Sequence, residues 1–231
     1  MVCGHCKQTG HKNTKKTPCS LDPPIPVDLV TPNVVRELYK AFVADEVSMS
    51  EIETANPGIH VRRHGMRAEL SENIVKFVIH SRGDSTCTWG GVNGDLRSAV
   101  ENIQEVKSIT SINSPTSFGP TQPWNVIYFL DASNWRNDML IVYRIPLPNT
   151  HTFWKTLPMN KKETKGEQSD DKRRPRTVWN TNIKPLLEKE FEEMIHPPFY
   201  SGTFEGIFSS GTSLSAINPT TGNETALPAN L

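Results

Sequence analysis

Three side chains in one short stretch have the types needed to hydrolyse a phosphodiester: Asp95 in Gly94-Asp95-Leu96, then Glu105 and Lys107 in Glu105-Val106-Lys107. Residues two apart on a strand share a face, so Glu105 and Lys107 project together while Val106 turns to the opposite side. Carboxylates of this kind can hold Mg²⁺ through oxygen ligands and leave positions for water and a phosphate oxygen. A metal so held lowers the pKa of bound water and offsets charge at phosphorus, and Lys107 would orient or help deprotonate the attacking water. The bland alternative is an exposed strand with ordinary surface charges.

These residues must be brought to one face, which constrains the hairpin between them. A two-residue turn at Glu101-Asn102 would set Asp95 opposite Ser108, on the wrong side. A three-residue loop pairing Val100 with Gln104, or a bulge near Gly94, restores the shared face, and one of the two is expected. Around the hairpin, β-prone runs at 95–100, 104–110, Val126–Leu130 and Met139–Ile145 suggest one mixed sheet. Thr31-Pro32 opens a helix expected over about 32–44, with Val34, Leu38, Ala41 and Phe42 on one face. Leu70, Ile74, Phe77 and Val78 mark a second over about 68–80. Lys155 to Lys172 is polar and aperiodic and reads as a mobile loop. Leu187, Phe191, Met194 and Ile195 read as an amphipathic helix halted by Pro197-Pro198.

The chain of 231 residues is long enough for a sizeable core. Its 35% hydrophobic and 22% charged residues exclude a wholly disordered protein. No apolar run approaches the roughly 20 residues of a membrane span, and the first residues are polar and basic, so a cytoplasmic protein without a membrane partner is expected. Formal net charge is zero, which argues against general affinity for nucleic acid and directs attention to local clusters. Arg173, Arg174 and Arg176 could grip phosphates or read guanine edges; Arg62 and Arg63, with Arg67, form a weaker group. The usual alternative for such runs is a solvated surface.

Of four cysteines, three crowd into the first nineteen residues, and Cys87 stands alone as a buried thiol. Cys3, Cys6, His11 and Cys19 resemble a CCHC zinc knuckle with Gly10 before the histidine, which implies a structural Zn²⁺ site; His5 is an alternative ligand. Lys12, Lys15 and Lys16 beside it suggest phosphate contact. The Pro-rich run after Cys19 reads as a connector, giving a knuckle at 1–20, a linker at 21–30, a main domain at 31–210 and a flexible tail at 211–231.

Gly94-Asp95 with Glu105-Val106-Lys107 resembles the PD-(D/E)xK nucleases. The continuation through Ser114-Pro115-Thr116-Ser117-Phe118-Gly119-Pro120 to Trp124-Asn125-Val126-Ile127-Tyr128-Phe129-Leu130-Asp131 resembles a type II restriction endonuclease, over about residues 66–180. The resemblance implies an α/β fold with a mixed central sheet flanked by helices, Mg²⁺-dependent cleavage of double-stranded DNA at a short sequence, and 5′-phosphate products. It further implies a homodimer and a cognate DNA methyltransferase. It points to Glu72 on the preceding helix as a further site residue, with Glu69 as the weaker choice. Read on the helix alone, Glu72 lies about 160° round from Ile74 and fits a solvated acid equally well. Gly94 stands where the motif name has proline. Ser117 and its neighbours would support the site, line the DNA groove, or form a plain turn. Two rivals stand beside this reading: a repair or recombination nuclease of the same superfamily, and a noncatalytic nucleic-acid-binding protein in which the knuckle does the binding.

Overall fold

A computed structural model describes residues 30–61, 63, 65–91, 94–117, 119, 122–159, 164–167 and 176–209. The expected knuckle with Cys3, Cys6, His11, Cys19, Lys12, Lys15 and Lys16, nearly all of the linker, Arg62, Arg173, Arg174 and the tail lie outside the described residues.

Helix α1 (Pro32–Ala55) starts as its sequence dictates, with the Thr31 hydroxyl accepting the Val34 amide at 3.4 Å and proline at the first turn. It runs eleven residues beyond the expected end at 44, because nothing in the chain breaks a helix before Asn56-Pro57. Glu46 extends the buried stripe of Val35, Tyr39 and Phe42, its charge matched by Arg63 Nη1 at 2.8 Å. Helix α2 (Ala68–Ser81) matches its expected span to one residue and buries Leu70, Ile74, Val75, Val78 and Ile79. No helix among the described residues is long and apolar enough to cross a membrane.

Six strands form a mixed sheet: β1 (Thr88–Trp89), β2 (Leu96–Ser98), β3 (Asn102–Ile109), β5 (Val126–Asp131), β6 (Met139–Ile145) and β8 (Tyr200–Thr203), in the order β1-β2-β3-β5-β6-β8. Only β3 and β5 run parallel. A separate ribbon pairs β4 (Pro115–Thr116) with β7 (Thr177–Val178). Strand β5 is apolar without alternation because both of its faces are covered. Val126, Tyr128 and Leu130 join the core built with α1, α2 and the short α5 (Gly206–Ser209). Ile127 and Phe129 join a second core with Trp154 of α3 (Thr152–Thr156), Trp179, and Leu187 of α4 (Lys184–Glu190). Phe129 stacks on Trp179 with ring centroids 4.2 Å apart.

Two expectations fail because tertiary burial overrides the local sequence signal. Between Lys155 and Lys172, Leu157 and Met159 are buried in the second core, Pro158 bridges to Thr164, and Lys165–Glu167 form a 3₁₀ turn. These parts of the presumed mobile loop are folded. The expected helix around 187–195 ends at Phe191, whose φ of −148° turns its ring toward Phe153; a 3₁₀ turn at Glu192–Met194 and buried Ile195 follow.

The β2–β3 hairpin decides whether Asp95 meets Glu105. Its loop has three residues, as required, but lies at 99–101: Ser98 pairs with Asn102 and Leu96 with Gln104, not Val100 with Gln104. Asn102 takes a left-handed φ of 59°, a conformation asparagine tolerates well. Glu101 clamps the loop to the sheet: its carboxylate accepts the Tyr128 hydroxyl at 2.6 Å, Gln104 Nε2 at 3.1 Å and Arg144 Nε. Burial and the adjoining Glu101 carboxylate push the Tyr128 hydroxyl pKa well above its ordinary value. Extending this register sets Asp95 across from Glu105. Glu101→Ala leaves Tyr128 and Arg144 without their acceptor and should cost about 3 kcal/mol. Urea unfolding checks this through a lowered midpoint; a loss below about 1 kcal/mol would remove the clamp from the account.

Candidate active site

Asp95 sits where β2 and β3 part. Its backbone is held on both sides, the amide donating to the Gln104 carbonyl at 3.0 Å and the carbonyl accepting the Gly90 amide at 2.9 Å. Its Oδ2 accepts the Val106 amide at 2.8 Å, so a carboxylate caps a donor of β3 at the point of divergence. Gly94 makes the turn into this position with φ of +113°, and a Cβ there would lie 2.7 Å from Ile103 Cγ2 and 3.2 Å from the Gln104 carbonyl oxygen. Proline, fixed near −65°, cannot take that conformation, which explains the departure from the motif's name.

Glu105 is wholly buried on the central strand. Its two oxygens accept hydrogen bonds from Lys107 Nζ and Gln122 Nε2 respectively. Charge and amide donors together offset the large cost of taking a carboxylate out of water. The lysine side chain is 20% exposed against 1% for the glutamate, so Lys107 stands at the mouth and Glu105 at the floor. Val106 turns into the opposite core, as its alternate position requires.

Glu72 is half-buried, on the side of α2 that reaches the parted strands. Burial, and then the negative charge of Asp95, push its carboxyl up to about 7; Trp89 bonds it and opposes the rise, while Glu69 and Glu105 add to it. The position is therefore not that of a freely solvated acid. Glu69 is exposed. Among the described residues no group of three or more His, Cys, Asp or Glu side chains converges for a metal ion. The β2–β3 register sets Asp95 across from Glu105, and these two carboxylates are the candidate donor pair. That suits Mg²⁺, which keeps several waters and commonly takes one or two carboxylates.

Two contributors escaped sequence reasoning. Gln122, a lone amide before Pro123, carries no motif, yet it anchors Glu105 and is itself held by Asn149 Nδ2, which donates to its carbonyl at 2.5 Å. The Gly119 amide donates to Gln122 Oε1 at 3.4 Å, so the segment after Ser117 braces the site. Trp89, 49% exposed at the sheet edge, bonds Glu72. Of the basic candidates, Arg63 is committed inside the fold, to Glu46 and to Glu53 at 2.5 Å. Arg176 is exposed and Ser117 half-buried. Each lies one residue beyond the paired Thr116 and Thr177, so the ribbon register brings their backbones side by side.

An acid whose pKa rises on folding is protonated more readily in the native chain than in the unfolded one. The stabilisation linked to Glu72 is therefore present below its ordinary value of 4.5 and is lost as pH climbs to about 7. Glu72→Gln should flatten this fall, so the wild-type advantage over the variant shrinks steadily from pH 5 to pH 8 in urea titrations. Parallel pH profiles for the two proteins would contradict the assignment.

A family model described as Bsp6I restriction endonuclease matches residues 37–184, a span that holds α1 from Glu37, the whole candidate site and the chain as far as Lys184. No curated protein matches, and no solved structure matches. The chain belongs to the Bsp6I restriction endonuclease family.

Proposed function

We propose that the protein is a type II restriction enzyme of the PD-(D/E)xK kind, cutting double-stranded DNA at a short specific sequence. Asp95 and Glu105 would hold Mg²⁺, Lys107 would orient the water, and Glu72 would assist from α2. The observation that carries the reading is the β2–β3 register, which sets Asp95 across from Glu105 while Lys107 Nζ bonds the Glu105 carboxylate. A bound Mg²⁺ supplies Lewis acidity at the phosphate and acidifies water.

The chain's own residues do the rest. Gln122 and Lys107 keep the Glu105 carboxylate in one orientation, and the Val106 amide does the same for Asp95, so neither must reorganise when substrate arrives. The partly exposed Lys107 ammonium has donors left for a water beside Glu105. Attack of that water's oxygen forms the new bond to phosphorus and releases a proton to solvent, the bond to the 3′-oxygen breaks, and the leaving oxygen takes up a proton from solvent, giving a 5′-phosphate end. Arg176 and Ser117 contact the duplex backbone, joined by Arg62, Arg173 and Arg174. An N-terminal Zn²⁺ knuckle of Cys3, Cys6, His11 and Cys19 adds affinity through Lys12, Lys15 and Lys16. A homodimer would bring two such sites to two strands, and a DNA methyltransferase would protect the host's own sites.

Purified protein with unmethylated plasmid DNA and Mg²⁺ should give a fixed set of fragments. Asp95→Ala and Lys107→Ala should each lower the cleavage rate by about 10³-fold or more while retaining duplex binding. Preference for branched or damaged DNA would favour a repair nuclease, and binding without cleavage in every divalent ion would leave only a nucleic-acid-binding protein.

A further inference from the structure

Beside the acidic site lies a cavity of opposite character. It has a volume of about 810 Å³ and opens at the start of β3 and β5, with Asn102, Gln122, Asn125, Asn149, Lys155 and Lys165 supplying its polar lining. Among the described residues no acidic side chain lines it. Lys165 is 6% exposed, and no carboxylate pairs with it among the described residues. Its ammonium donates to Asn149 Oδ1 at 2.5 Å and sits 5.4 Å from the Trp124 ring centroid. An ammonium has three donors, and one hydrogen bond plus an aromatic face leaves it far short of full compensation for burial. Desolvation accordingly lowers the Lys165 pKa to about 8. Among the described residues this buried cation faces the cavity without a carboxylate partner.

The cavity is joined to the candidate active site by named contacts. Lys165 bonds Asn149, Asn149 Nδ2 donates to the Gln122 carbonyl, and the Gln122 side chain bonds Glu105. Ile103 lines the cavity and precedes Glu105 on the same face of β3 by one pleat repeat, roughly 6.5 Å. We infer that this cavity receives a sugar-phosphate segment of the DNA strand next to the cleaved bond, with Lys165 as the phosphate's buried counter-ion and Lys155 at the rim. The inference rests on the nuclease reading and extends it. The acidic pocket takes the scissile group through a cation, and the neighbouring cationic pocket takes backbone directly. Occupancy would fix Asn149 and Gln122, and through them the Glu105 carboxylate.

Two measurements test this on the full chain, both with a mixed-sequence duplex in Ca²⁺ in place of Mg²⁺. In wild-type protein labelled with ¹³C at lysine ε-carbons, duplex should shift the Lys165 resonance and raise its pKa toward the ordinary lysine range. Inorganic phosphate and a deoxynucleoside monophosphate, added separately, should do so only at far higher concentration. A response to the monophosphate but not to duplex would make this a free-nucleotide site and overturn the inference. Lys165→Met should weaken duplex binding by roughly tenfold and reduce the slope of log K against log salt by about one. A variant that merely folds poorly loses active fraction without changing that slope, and an unchanged slope with an unmoved wild-type resonance refutes the site. Loss of all duplex binding and cleavage by the wild-type protein would instead strike the nuclease reading itself.

Discussion

A carboxylate buried in the middle of a sheet governs this structure. Glu105 is buried, and a bare anion in that position would cost more than the whole net stability of an ordinary domain. Lys107 and Gln122 each donate to one of its oxygens and offset much of that cost. Burial thus fixes the orientation of the acid, and the same two donors tie it to the strand's mouth on one side and to the loop before β5 on the other. A solvent-exposed glutamate at this point could turn freely and would lack that pre-set geometry.

The rest of the fold supplies rigidity to that arrangement. Strand β5, covered on both faces, is the stiff member against which β3 lies in parallel, so Glu105 is paired with Ile127 and Lys107 with Phe129. On the other side β2 pairs with β3 for only three residues and then leaves, and Asp95 occupies the gap. Two local devices make that departure possible. The Glu101 clamp selects the register, and Gly94 makes a turn that a side chain would block. Neither device touches the proposed chemistry, yet moving either would carry Asp95 away from its companion.

What was legible in the sequence follows from how local each signal is. Strand β6 was read to the residue and α2 nearly so, because apolar periodicity and branched side chains report burial directly. The hairpin was legible in parity but not in place: three loop residues satisfy the shared face at 99–101 or at 101–103. The choice belongs to Glu101 reaching Tyr128 and Arg144, contacts 27 and 43 residues away along the chain. A helical wheel leaves Glu72 open between a solvated acid and a site residue, since an angle measured from the core stripe cannot see that Asp95 and Trp89 lie beside it. Gln122 and Lys165 left no trace at all, for a single amide or a lysine in a polar run acquires meaning only from what burial places against it.

Those two silent residues also bear on how opposite charges coexist so closely. Burial, and then the nearby charge of Asp95, raise the pKa of Glu72, and desolvation lowers that of Lys165. Each departs from its ordinary value in the direction that weakens its charge. A fold selected for stability alone would let such groups neutralise one another, or replace them with apolar side chains of similar volume. Here the amides of Gln122 and Asn149 stand between the acidic floor and the buried lysine, linking them while keeping them apart. A polyanionic strand that brings divalent cations to one pocket and bare phosphate to the other would relieve both strains together. The separation of charge therefore points to a ligand that meets both pockets at once.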